Sequence, residues 1–142
     1  MKNVNRRSAL AMAAVAAAAV FGMTAWTATD AEAKKLNFTE ATYNKLLKSG
    51  QPFMVSVHTR WCSTCATQKR IIGGLRSKGQ PYAGMTELAM DWDKYRGSKI
   101  GKELRIPRRS TLIMFGGGKE AGRIIAGTSA SQIKQLIDKG YN

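Results

Sequence analysis

Residues 53–59 form a mainly apolar run, FMVSVHT, that leads directly into Arg60-Trp61-Cys62-Ser63-Thr64-Cys65. A short apolar run bounded by turn residues reads as a buried strand. The residues after Cys65 carry helical spacing through Ile71 and Ile72 to about residue 75, and Gly73-Gly74 is expected to weaken or bend that end. The chain's two cysteines therefore sit where a buried strand meets the first turn of a helix, and every other segment must be placed around that joint.

Thr39 can cap a helix over TEATYNKLLK, in which Leu46 and Leu47 recur at helical spacing from Tyr43 and Ser49-Gly50 makes the stop. Residues 85–91 alternate like a strand, residues 93–104 are expected to be helical, and residues 111–115 form the next strand. Gly116-Gly117-Gly118 joins that strand to another at 122–126, a spacing that suits an antiparallel hairpin. Thr128 or Ser129 caps a final helix with Ile133, Leu136 and Ile137 on one face and Gly140 after it. Strands and helices alternate first, and a hairpin and a helix close the chain. That order predicts an α/β fold with a central mixed β-sheet flanked by helices on both faces. No internal repeat interrupts residues 34–142, which read as one domain.

A cysteine at the first turn of a helix faces unpaired backbone N–H groups and the positive end of the helix dipole, and both favour thiolate over thiol. Cys62 is therefore expected to be the nucleophile. Cys65, one turn deeper, is placed to attack a mixed disulfide from the protein side and release the partner. Arg60 would add to thiolate stability if its side chain turns toward the sulfur. A purely structural disulfide fits poorly, because such bonds act by closing long loops in the unfolded chain, and only Ser63 and Thr64 separate this pair.

The ordered match of helix, strand, WCSTC, helix, strand, helix, hairpin and helix resembles the thioredoxin family over nearly all of residues 34–142. WCSTC is similar to the family's WCxxC active site, and STLIMFGGGKEAGRIIAG is similar to its cis-proline strand, glycine turn and hairpin. The resemblance implies a three-layer thioredoxin-like fold and thiol–disulfide oxidoreductase activity, with Cys62 and Cys65 catalytic. It further implies that Trp61 shapes the binding surface and that Arg109, Ser110 and Thr111 approach it, offering backbone groups to an extended substrate segment. Partners would be proteins bearing thiols or disulfides and an unidentified redox partner protein, and no cofactor is implied.

Three positions depart from the family pattern. Ser110 stands where the family has its cis-proline, with Pro107 three residues earlier, and a cis bond without proline costs ~2.5–4 kcal/mol. Ser56 replaces the buried Asp that assists proton transfer to and from the resolving cysteine, so release from Cys65 should slow unless water or His58 substitutes. Ser63-Thr64 replaces Gly-Pro between the cysteines, which leaves the direction of electron flow open. Arg60, Arg108 and Arg109, if close, would favour the reduced thiolate and a more oxidising couple.

Residues 1–33 have the layout of an export signal: a basic start with Arg6-Arg7, an alanine-rich apolar run, and small residues at Ala31 and Ala33. Arg6-Arg7-Ser8-Ala9-Leu10 partly matches the twin-arginine motif. Cleavage after Ala33 and a periplasmic or secreted domain are expected, with membrane contact only through an uncleaved signal or the basic surface. Residues 34–142 keep 20 of the 23 basic and 7 of the 9 acidic residues, a net charge of about +13. Such a surface favours acidic partners. Nucleic acid is not expected, because the basic residues are spread along the chain with no interleaved aromatic motif.

His58 is expected to be a satisfied core residue, and Met54, Met85, Met90 and Met114 to fill the core. Two cysteines and one histidine do not complete a tetrahedral metal site in one chain, and Gly116 to Gly118 opens no helix and so forms no phosphate loop. Two alternatives stand beside the enzyme: a non-catalytic binding module of the same fold, and a domain that carries a metal ion between Cys62 and Cys65.

Overall fold

In a computed structural model describing residues 34–142, the elements run β1 (Lys35–Asn37), α1 (Glu40–Ser49), β2 (Phe53–His58), α2 (Ser63–Arg76), β3 (Thr86–Asp91), α3 (Trp92–Tyr95), α4 (Lys99–Glu103), β4 (Thr111–Gly116), β5 (Lys119–Ile125) and α5 (Ala130–Lys139). The expected export signal, residues 1–33, lies outside the described residues. The strands form one sheet in the order β1-β3-β2-β4-β5. β1, β3 and β2 run parallel, and β4 and β5 are antiparallel to their neighbours. This is the central mixed sheet read from the sequence.

The alternation of β2 at the middle of the sheet supplies both cores. Phe53, Val55 and Val57 point to one face, where they meet Leu88, Met90, Ile113 and Phe115 beneath Tyr43 of α1 and Ile100 of α4. Met54 points to the other face and joins Leu112 and Met114 beneath Ile72 and Leu75 of α2 and Ile133, Leu136 and Ile137 of α5. All four methionines named above are fully buried. Each large apolar side chain buried in this way contributes roughly 1.5–3 kcal/mol. By the same alternation Ser56 and Glu87 face α2, the helix that carries the cysteines.

Most helix ends fall where the sequence placed them. Thr39 Oγ1 accepts from the Thr42 N–H and Gly50 closes α1 at φ +70°, while Ser129 caps α5. Two boundaries differ. Residues 93–104 form two short helices instead of one, because Ser98 Oγ accepts from the Gly101 N–H and so starts a new helix. The hairpin is tighter than expected: Gly117 and Gly118, at φ +59° and +76°, make a two-residue turn of the kind that needs positive φ at both positions, so β5 begins at Lys119. α2 runs through Gly73-Gly74 to Arg76, within one residue of its expected end. β1 was not anticipated.

Candidate active site

β2 ends at His58, and residues 59–61 turn the chain so that Cys62 becomes the N-cap of α2. Its backbone is extended (φ −94°, ψ 107°), and its Sγ accepts from the Cys65 N–H at 3.2 Å. The sulfur thus occupies the acceptor position that a Ser or Asp side chain fills at other helix starts. A thiolate there gains from the free N–H groups and the dipole of a 14-residue helix. Cys65 follows one turn later with a Cα–Cα separation of 5.3 Å, and the two sulfurs are joined as a disulfide. Cys62 and Cys65 are only 7% and 8% exposed, yet both residues line an open cleft of about 380 Å³.

Ser110 closes the site from the opposite side. Its Oγ lies 3.0 Å from Cys62 Sγ and 3.1 Å from Cys65 Sγ, and a hydroxyl can turn its proton toward either sulfur. The residue is fully buried at φ +62°. Its N–H donates to Val57 O at 2.8 Å, and its carbonyl accepts from the Ala126 N–H and from Gln68 Nε2. The peptide bond before Ser110 is trans, the one cis bond among the described residues being Gln80–Pro81.

These bonds revise the expected docking edge. Ser110 and Thr111 do lie beside the cysteines, but both are completely buried, and Thr111 Oγ1 donates to Arg108 O. The backbone of Ser110 is already bonded within the domain, and Thr111 pairs with Val57 and Ile125 on either side. What remains open is Trp61, 65% exposed, with the Arg109 guanidinium 4.2 Å from its ring centre. Arg109 Nε has no hydrogen-bond partner.

His58 is half-buried on the wall of the cleft instead of sealed in the core. Burial, aided by Lys35, holds its pKa below the ordinary imidazole value. Two polar residues that sequence reasoning passed over complete the site. Gln68, buried on α2, donates from Nε2 to Ser110 O at 3.0 Å and to Gly127 O at 2.9 Å, tying the helix to the loop that presents Ser110. Glu87, buried on β3, accepts from Ser56 Oγ at 2.7 Å and pairs with Arg76 at 3.3 Å. Glu87 carried one signal in the sequence, a lone carboxylate inside an apolar strand, which is costly without partners.

Comparison with solved structures places this geometry. Trxlp from Edwardsiella tarda superposes with a TM-score of 0.64 at 26% identity, covering 73% of this chain and 98% of that one. Mitochondrial thioredoxin 3 from Saccharomyces cerevisiae, in its oxidised form, matches at 20% identity and TM-score 0.60, covering 75% and 93%. The chain is a thioredoxin-fold protein. Schistosoma mansoni thioredoxin pre-protein, in reduced form, is similar at 18% identity and TM-score 0.60, covering 76% and 99%. No family model matches the sequence. A thioredoxin fold with a Cys62–Cys65 pair at a helix start is a thiol–disulfide oxidoreductase, and its redox group is the pair itself. In this thioredoxin-fold chain a trans-linked Ser110 takes the position beside the sulfurs that the resemblance assigned to a cis-proline.

Proposed function

We propose that this protein exchanges disulfides with cysteines of partner proteins outside the cytoplasm, with Cys62 as the attacking sulfur. The observation that carries the reading is the environment of Cys62 Sγ, which has the Cys65 N–H and the Ser110 hydroxyl as donors at 3.2 and 3.0 Å. In the reductive direction the Cys62 thiolate attacks one sulfur of a partner disulfide. A Cys62–partner bond forms, the partner's own bond breaks, and one partner sulfur leaves as thiolate. Cys65 then attacks Cys62 Sγ, which closes the Cys62–Cys65 disulfide and frees the second partner sulfur. The oxidative direction reverses every step.

Donors on a cysteine sulfur stabilise the thiolate and hence the dithiol, which shifts the couple toward the oxidising side. The potential is expected to lie above the ~−270 mV of thioredoxin. Trp61 and Arg109 form the docking surface. Among the described residues no carboxylate lies within ion-pair distance of Arg60, Arg108, Arg109 or Lys69. Such unpaired cations favour partners with acidic residues near the reacting cysteine, and they accelerate encounter at low salt. The basic start, alanine-rich run and Ala31-Glu32-Ala33 in residues 1–33 support an exported location.

The test is turnover of the 34–142 domain in both directions, insulin reduction with a dithiol supplied and oxidative refolding of a reduced protein, each at low and high salt. Turnover in at least one direction, slowed by salt, is expected. Negligible turnover in both would replace this reading with the non-catalytic binding module.

A further inference from the structure

We infer that Glu87, acting through the Ser56 hydroxyl and water in the cleft, accepts the Cys65 proton when Cys65 resolves the mixed disulfide; the inference rests on the exchange reading above.

Three observations meet in one place. The cleft of about 380 Å³ that touches both cysteines is also lined by Ser56, His58 and Glu87, and Glu87 is its sole carboxylate. A space of this size with Ser56, His58 and Glu87 on its wall has room for water, which needs two to four polar partners. Glu87 is 6% exposed; its Oε2 pairs with Arg76 at 3.3 Å, whereas its Oε1 accepts from Ser56 Oγ at 2.7 Å and lies 3.9 Å from Lys35 Nζ. The Arg76 pair accounts for the carboxylate's tolerance of burial. It does not account for an oxygen aimed at a hydroxyl that borders the same cleft as the resolving thiol.

Because Ser56 donates its own proton to Glu87, its lone pairs are free to accept from a water that in turn accepts from Cys65. In the resolving step the Cys65 S–H proton passes to that water, a proton passes from water to Ser56 Oγ, and the Ser56 proton passes to Glu87. The Cys65 electron pair forms the bond to Cys62 Sγ, the bond from Cys62 to the partner breaks, and its electron pair leaves on the partner sulfur. Glu87 then returns the proton to solvent through the cleft. Burial and Lys35 oppose the charged form of His58, the other base on the wall, and the Ser56 hydroxyl is bonded to Glu87 instead of to it. Charged groups facing Glu87 are Lys35 of β1, at 3.9 Å, and Arg76 of α2; Arg60, His58 and Lys69 share the cleft.

An aromatic disulfide, 5,5′-dithiobis(2-nitrobenzoate), separates the steps when mixed with fully reduced protein. The first coloured thiolate leaves when Cys62 attacks, and the second when Cys65 resolves. In Glu87→Gln the first release should stay within about twofold of wild type, while the second slows at least about tenfold near neutral pH. The gap should narrow as pH rises past the ordinary thiol pKa of about 8.5, where Cys65 ionises without help. A merely structural change would not produce that pH dependence. Ser56→Ala should give the same defect with the Arg76 pair intact, and it carries the test if Glu87→Gln does not fold. Adding Ser56→Asp to Glu87→Gln, which puts a carboxylate on the cleft wall, should restore much of the rate. A second release at the wild-type rate in Ser56→Ala overturns the inference, as does one in folded Glu87→Gln. Absence of the first release in wild type would defeat the exchange reading, and this inference with it.

Discussion

Cys65→Ala is expected to leave the domain covalently joined to its partners, whereas Cys62→Ala captures none and loses turnover down to background. The asymmetry follows from position. Cys62 Sγ is the helix-capping atom with donors around it, so it is the sulfur that ionises and attacks. Cys65 lies one turn along the same helix, with its sulfur over Val57 O and Ser110 Oγ, where its reach is to Cys62. With Cys65 gone, the mixed disulfide on Cys62 has no internal thiol to break it. The measurement is a non-reducing gel with mass spectrometry of the adducts, after reduced variants are mixed with oxidised partner proteins. Equal capture by both variants would show that the assignment of nucleophile and resolver is wrong.

Ser110→Pro, which restores the residue type the resemblance leads one to expect, should destabilise the domain instead of repairing it. Proline fixes φ near −65°, and Ser110 sits at +62°. Proline also removes the N–H that donates to Val57 O at 2.8 Å, leaving a buried carbonyl unpaired, and it deletes the hydroxyl held between the sulfurs. A proline imposed on incompatible backbone with loss of a hydrogen bond costs on the order of 3 kcal/mol or more. For a domain of about 100 residues that lowers Tm by roughly 12 °C or more. Calorimetry of the oxidised proteins measures it. Ser110→Gly is the informative control, because glycine accepts positive φ and keeps the N–H while losing only the hydroxyl. A Ser110→Pro variant as stable as wild type would mean that the loop accepts a different backbone beside the cysteines.

Much of this arrangement was readable from the chain because it is local. FMVSVHT followed by WCSTC announced a buried strand, a tight joint and a helix whose first turn holds a cysteine, and β2, the turn and α2 stand there. Likewise Thr39, Gly50 and Ser129 act within one turn of themselves, so caps and stops were legible. What escaped depends on residues far apart in sequence. Lys35-Leu36-Asn37 is an exposed tripeptide that becomes a strand only because β3 offers a parallel edge. Ser98 competes with continuation of a helix through its own side chain, and apolar spacing across residues 93–104 does not report that competition.

The same distance separates the legible from the illegible at the site. Cys62 and Cys65 declared themselves by spacing; beside them Trp61 is exposed, with the half-buried Arg109 against its ring. Ser110 could be seen as a departure from a pattern, but its hydroxyl between two sulfurs 45 and 48 residues away could not. Ser56 read as the loss of a base. The structure sets a carboxylate against it from the neighbouring strand, 31 residues on, so the charge missing from β2 is supplied by β3. Gln68 drew no attention in the sequence and is 2% exposed, holding the Ser110 carbonyl.

The central claim is that Cys62 in the reduced protein is a thiolate near neutral pH because of where its sulfur sits. The rate of alkylation of Cys62 by iodoacetamide as a function of pH, followed by mass spectrometry in the Cys65→Ala variant, reads its acidity directly. An apparent pKa below about 7.5 is the predicted result. A value at or above about 8.5, that of an unperturbed thiol, would contradict it.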